Sequence, residues 1–189
     1  EKAIKIKPDF AEAHNNLGNA LKHLGRHDDA TKRYERAIQI KPDYAEAYNS
    51  LGAAFSDLGR RDDAAASYEK AIAAWPGFAR AHHNLSAVKK FAPDDPQIRQ
   101  MSDLLKQDRV TDTEKTLLHF GLGKAYDDLA QYEEAFAHFA EGNRLRKKLI
   151  GYDIADDRDL FARIRTMQEA ITPSDIEITG AKPVFVVGM

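Results

Sequence analysis

Ala11-Glu-Ala-His-Asn-Asn-Leu17-Gly18 returns 34 residues later as Ala45-Glu-Ala-Tyr-Asn-Ser-Leu51-Gly52. Pro8, Pro42 and Pro76 keep the same spacing, as do Phe10, Tyr44 and Phe78. Aligning 11–44 with 45–78 matches 18 of 34 positions, too many for unrelated segments. Self-similarity at a period of this size marks a solenoid. A unit this small cannot bury its own apolar face. It stacks on its neighbours, and the stack presents an extended concave surface.

Each unit reads as two antiparallel helices. In 11–44 the first helix covers roughly 11–24 and is broken by Gly25, the residue favoured for a left-handed helix end. The second runs from about Asp28 to Ile40. Asp28 and Asp29 sit at its start, where carboxylates suit the helix dipole, and Pro42 stops it. Unit 45–78 repeats this plan with Gly59, Asp62-Asp63 and Pro76. Gly18 with Ala30, and Gly52 with Ala64, fall where the paired helices must approach closely. Leu17, Leu21 and Tyr34, then Leu51, Phe55 and Tyr68, supply the large side chains that fill the space.

These positions resemble the tetratricopeptide repeat. With Ala11 as position 1, the family's pattern falls on Leu17, Gly18, Leu21, Ala30, Tyr34, Ala37 and Pro42, and then on Leu51, Gly52, Phe55, Ala64, Tyr68, Ala71 and Pro76. The resemblance implies an all-α fold, a right-handed solenoid of antiparallel helix pairs. Residues 1–10 match the end of a preceding unit through Ala3 and Pro8, so the chain is expected to begin inside a repeat.

Beyond 78 the pattern degrades. Unit 79–115 opens with Ala79-Arg-Ala-His-His-Asn-Leu85, but Ser86 stands for Gly and Lys89 for a large apolar residue. Asp95 reads as an N-cap with Pro96 at the first helical position. Ile98, Met101, Leu104 and Leu105 share one face of the helix that follows. Thr111-x-x-Glu114 is a capping box that opens another helix. Leu122, Gly123, Tyr126, Ala135 and Phe139 then restore the repeat spacing over 116–149. Gly142 replaces the family's alanine, and no proline closes that unit. A stack is expected to end in an atypical unit.

The period is lost after Gly151. Residues 155–171 read as a helix with Leu160, Phe161, Ile164, Met167 and Ile171 as its apolar stripe. A linker completes 150–181. Residues 182–189 are expected to form a strand, because Val184 to Val187 is a continuous apolar, β-branched run. A lone strand cannot satisfy its backbone groups, so it must pair with something else. The stretch 120–189 resembles bacterial-type tetratricopeptide-repeat sulfotransferases through Phe120-Gly-Leu-Gly-Lys-Ala-Tyr-Asp-Asp-Leu129, Ala135-Phe136, Gly142-Asn143-Arg144, Tyr152-Asp153 and Pro183-Val-Phe-Val-Val-Gly-Met189. In that family the strand runs into a Pro-Arg-Ser-Gly-Thr-Thr loop that binds the donor's 5′-phosphate at a helix N-terminus. The resemblance implies the repeat portion of such an enzyme, with 182–189 as the first strand of a sulfotransferase-like domain. The parent would use 3′-phosphoadenosine 5′-phosphosulfate. This chain itself is expected to hold no cofactor and no catalytic residue. The Asn-x-Leu-Gly repeats also resemble the superhelix of O-linked N-acetylglucosamine transferases, which is the alternative parent.

A formal charge of −2, with 31% charged residues, argues against bulk attraction to nucleic acid or an anionic membrane. No apolar run is long enough to span a membrane. The chain has no cysteine, which removes disulfides, thiolate catalysis and cysteine-based zinc sites and fits a cytoplasmic setting.

In the family, the first helix of each unit lines the concave face. The candidate groove residues are therefore Asn15, Asn16, Asn19 and Lys22, then Asn49 and Ser50, then Arg80, His83 and Asn84. The series Asn16–Ser50–Asn84 resembles the asparagine ladder of repeat proteins that grip extended peptides. An amide both donates and accepts, so it pairs with a peptide backbone of any sequence. The bland alternative is a solvated polar face. The carboxylate-clamp pattern fits only at Asn19 and Arg80, and it is set aside.

His14, His82 and His119 share repeat position 4, which points to packing and not to a metal site. His23 and His27 straddle Gly25, and the adjacent His82 and His83 point apart. The acidic pairs fall at helix starts. Trp75 is either a partner anchor or packing for the next unit. The expectation is a protein-interaction module that binds a peptide or protein segment in its groove and recruits the acceptor for a parent sulfotransferase. Self-association through the exposed ends of the stack is a further possibility.

Overall fold

A computed structural model of the chain describes residues 7–151 and 153–170. Among the described residues there are nine helices and no strand. The first pair is α1 (Ala11–His23) and α2 (His27–Ile40), and the second is α3 (Ala45–Asp57) and α4 (Arg61–Ala74). Then come α5 (Ala79–Val88), α6 (Pro96–Leu105), α7 (Asp112–Asp128), α8 (Tyr132–Ile150) and α9 (Ile154–Ala170). The expected strand at 182–189 lies outside the described residues, as does Ile171. The chain divides into one unit through Ile150 and a second from Gly151. In the second, α9 carries Leu160, Phe161, Ile164 and Met167 exposed.

The turns between paired helices repeat the same closure. Gly25 and Gly59 both sit at φ +73°. The Arg26 amide donates to the Leu21 carbonyl at 3.0 Å, and the Gly25 amide donates to Lys22 at 2.9 Å. Arg60 and Gly59 make the same two bonds to Phe55 and Ser56. This double closure satisfies carbonyls at the helix end that would otherwise lack partners. Arg26 then grips Asp29, and Arg60 grips Asp63, across the first turn of the following helix. After α7 the same closure recurs with Ala130 in the glycine position, at φ +57°. A Cβ is disfavoured in that conformation by about 1–2 kcal/mol. Ala130→Gly is therefore expected to raise stability by up to about 1 kcal/mol, read as a higher urea midpoint with an unchanged slope.

The close approaches expected at the small residues are present. A Cβ on Gly18 would lie 2.5 Å from the Tyr34 ring. On Gly52 it would lie 2.7 Å from Tyr68, and on Gly123 it would lie 2.7 Å from Phe139. Each glycine thus seats an aromatic ring from the partner helix 16 residues on. Leu21, Tyr34, Leu51, Phe55, Tyr68 and Leu85 join these contacts into one core that crosses unit boundaries. Ala64 is fully buried in it. Ala64→Leu is expected to cost about 1–3 kcal/mol by overpacking, and an unchanged melting temperature would remove Ala64 from this contact.

Unit three departs from the plan. Its second helix, α6, packs mainly on α7, and α5 lies directly against α7. Gly121 permits this approach. A Cβ there would lie 2.8 Å from the Met101 sulfur, 3.4 Å from Ser86 Oγ and 3.8 Å from His83 Cα. Asp95 caps α6 by accepting from the Gln97 amide at 3.0 Å. The Thr111–Glu114 capping box is fully formed, so α7 starts at Asp112. A unit boundary between 115 and 116 therefore falls inside α7.

Candidate functional site: the inner face of the stack

The backbones of successive first helices approach one another closely, α1 with α3, α3 with α5 and α5 with α7, whereas those of α2 and α4 do not come as near. The layer whose members lie closer together is the inside of the curve, so these helices form the inner face. The candidate residues sit on them in three environments. Asn16 and Arg80 are exposed, and Ser50 is half-buried. Asn15 and Asn49 are buried between helices, so they face the stack more than the solvent. The Asn84 amide nitrogen donates to Asn49 Oδ1 at 2.9 Å and ties α5 to α3. Asn19 accepts from the Tyr34 hydroxyl at 2.9 Å. Lys22 pairs with Asp57 of the next unit at 3.4 Å. Burial, followed by the nearby Asp57 charge, pushes the Tyr34 hydroxyl up to about 12. It therefore stays protonated and keeps donating to Asn19.

The histidines do structural work. His14 Nε2 lies 3.0 Å from the Pro8 carbonyl, and His82 Nε2 lies 2.9 Å from the Pro76 carbonyl. Each ties a first helix to the loop before it. His119 departs from this rule and meets His138 at 3.0 Å between ring nitrogens, with His138 stacked on Tyr126. Among the described residues no three histidine or carboxylate side chains gather where a metal could bind. Trp75 stacks on Phe78 at 4.7 Å and stays partly exposed.

Burial pushes His82, His83, His119 and His138 down from the ordinary histidine value, and for His138 the neighbouring His119 adds to it. The fold therefore favours their neutral forms. Above the unfolded value of about 6.5 both states are neutral and nothing is lost. Below it the unfolded chain binds protons that the folded chain resists, so stability falls until the lowered values are passed. The melting temperature should hold level from neutral pH to about pH 10, where unfolded tyrosine begins to ionise, and begin to drop below about pH 6.5. A level profile down to the carboxylate range would contradict this.

One opening on this face lies towards the end of the stack. A cavity of about 920 Å³ is lined by His83 and Ala87 of α5, Leu117, Phe120 and Lys124 of α7, and Leu149 and Ile150 of α8, among others. Leu117 and Phe120 occupy repeat positions 2 and 5 of the fourth unit. The rule that yielded Asn15 and Asn49 reaches Phe120 if carried two units further. The α8 wall also has a sequence cause. Position 32, where Pro42 and Pro76 stop α2 and α4, holds Lys147 here. Nothing breaks the helix, so α8 runs for 19 residues against 14 in α2 and α4. The extra length carries Leu149 and Ile150 over the inner face.

Residues 18–59 match the family model described as TPR repeat, and residues 1–32 and 45–76 match models described as tetratricopeptide repeat. Residues 1–76 therefore carry tetratricopeptide repeats, and the fold of the described residues is an all-α solenoid of that kind. Among solved structures, MamA is 22% identical, with a TM-score of 0.57 over 80% of this chain and 86% of that one. A MamA fragment from Desulfovibrio magneticus RS-1 is 21% identical, with a TM-score of 0.55 over 77% and 80%. YrrB, described as a TPR protein with an unusual peptide-binding site, is 18% identical, with a TM-score of 0.54 over 76% and 73%. At these identities the likeness concerns the fold. No curated protein matches the chain by sequence. Among the described residues no helix is long and apolar enough to cross a membrane.

Proposed function

We propose that the chain is a protein-interaction module whose inner face binds an extended peptide or protein segment. The carrying observation is the series Asn16, Ser50 and Asn84, one polar side chain at the same position of three successive inner helices. Packed helices lie about 8–10 Å apart, which is roughly three residues of extended chain at about 3.3 Å each. A strand laid across the helices would therefore meet one of these side chains at every third residue. The solenoid fold and the inner position of these helices support the reading. The test is a binder selected from a displayed library of random peptides, with its affinity measured by fluorescence anisotropy. Asn16→Ala/Asn84→Ala is expected to weaken it about thirtyfold, since each of the two lost hydrogen bonds is worth on the order of 1 kcal/mol. Unchanged affinity would take the groove away from these residues.

A finer reading makes this module the acceptor-recruiting arm of a sulfotransferase. It is supported by the sequence resemblance over 120–189. On this reading the chain binds a protein and leaves the sulfate donor to another domain. Tight binding of adenosine 3′,5′-bisphosphate by the chain alone would count against that division of labour.

A further inference from the structure

The cavity at the end of the stack differs in chemistry from the rest of the inner face. Its walls are Leu117 and Phe120 from α7, Phe139 from α8, and the overrunning Leu149 and Ile150. The charged side chains lining it are Lys124 and Arg146, both cationic, and no carboxylate lines it. Lys124 is already paired with Asp128. Arg146 is exposed and stands at the rim, and its neighbours on α8 are engaged elsewhere, Arg144 with Glu141 and Lys148 with Asp112. The cavity begins on the same helix that ends the polar row. His83 lines it, and the next residue, Asn84, is the last member of that row. An extended segment following the row towards the C-terminal end of the stack would therefore run into this cleft.

We propose that the cleft takes a bulky apolar side chain of the bound segment, with a carboxylate beside that residue meeting Arg146. The proposal rests on the peptide-binding reading and adds a sequence preference to it. Three features support this occupant. The volume lies within the range of about 300–1,000 Å³ usual for ligand clefts. The walls are apolar and partly aromatic, as at the buried centre of an interface. The lining charge is of one sign, which favours an acidic neighbour and repels a basic one. The row would hold the backbone without regard to sequence, and the cleft would choose the sequence.

Peptides selected from the displayed random library on the whole chain should share a large apolar residue next to Asp or Glu. Phe120→Ala is expected to weaken them about tenfold or more. Arg146→Glu, a change at an exposed position that leaves the core untouched, should weaken the acidic peptides by up to about fivefold. The same variant should bind better than wild type when Lys replaces the peptide's acid, which a merely structural role for Arg146 would not produce. Peptides that depend on Asn84 but ignore Phe120→Ala and Arg146→Glu would overturn the cleft proposal and leave the groove standing. Selection of no peptide at all would overturn both.

Discussion

Tyr68→Ala is expected to destabilise the protein by about 3–5 kcal/mol, as for other large aromatic-to-alanine changes in a core. Tyr68 is 3% exposed and lies over Gly52. The glycine has no side chain that could fill the void, so the cavity would remain. Against a total stability of about 5–15 kcal/mol, this single change removes a large share. The companion variant sharpens the argument. Gly52→Ala should cost about 1–3 kcal/mol alone, because its Cβ meets a ring that is itself packed. In Gly52→Ala/Tyr68→Ala the clash disappears with the ring. The double variant should then lose less than the sum of the two single losses, as contacting residues do. Urea unfolding of the four proteins closes this cycle, and strict additivity would mean that the two residues do not share a contact.

That glycine–aromatic pairing explains why so much of the fold was legible. Gly18 and Tyr34, Gly52 and Tyr68, and Gly123 and Phe139 keep one separation along the chain, so the period exposes a contact between helices. The turns were legible for a similar reason, since Gly25 and Gly59 take the left-handed conformation that glycine tolerates. Two features were hidden. The approach of α5 to α7 at Gly121 lies between units of unequal length, where the period gives no register. The inner-face rule gave polar residues in the first two units, but two of them, Asn15 and Asn49, are buried, because position 5 packs against the neighbouring helix before it reaches solvent. The cleft was half visible. The proline missing at position 147 predicts a longer helix, but nothing local tells where its end will hang.

Met101→Ala should cost about 2–5 kcal/mol, with the loss confined to one end of the stack. Met101 is fully buried among Phe91, Leu104, Leu118 and Leu122, a core separate from the one around Tyr68. In a solenoid each unit is held chiefly by its neighbours, so a lesion loosens the units beside it first. The two cores meet at α5, which gives Leu85 to the first and Ala79 to the second. Whether damage spreads depends on that one short helix of 10 residues. The expected result in native-state hydrogen exchange is a loss of protection in α6 and α7, with α1 to α4 close to wild type. An equal loss in every helix would mean that the stack unfolds as one block and that α5 couples the cores tightly. The local outcome has a consequence for binding. Met101 does not line the cleft, but α7 carries Leu117 and Phe120. Loosening α7 should therefore weaken peptides that use the cleft while sparing the Asn16 and Ser50 end of the row.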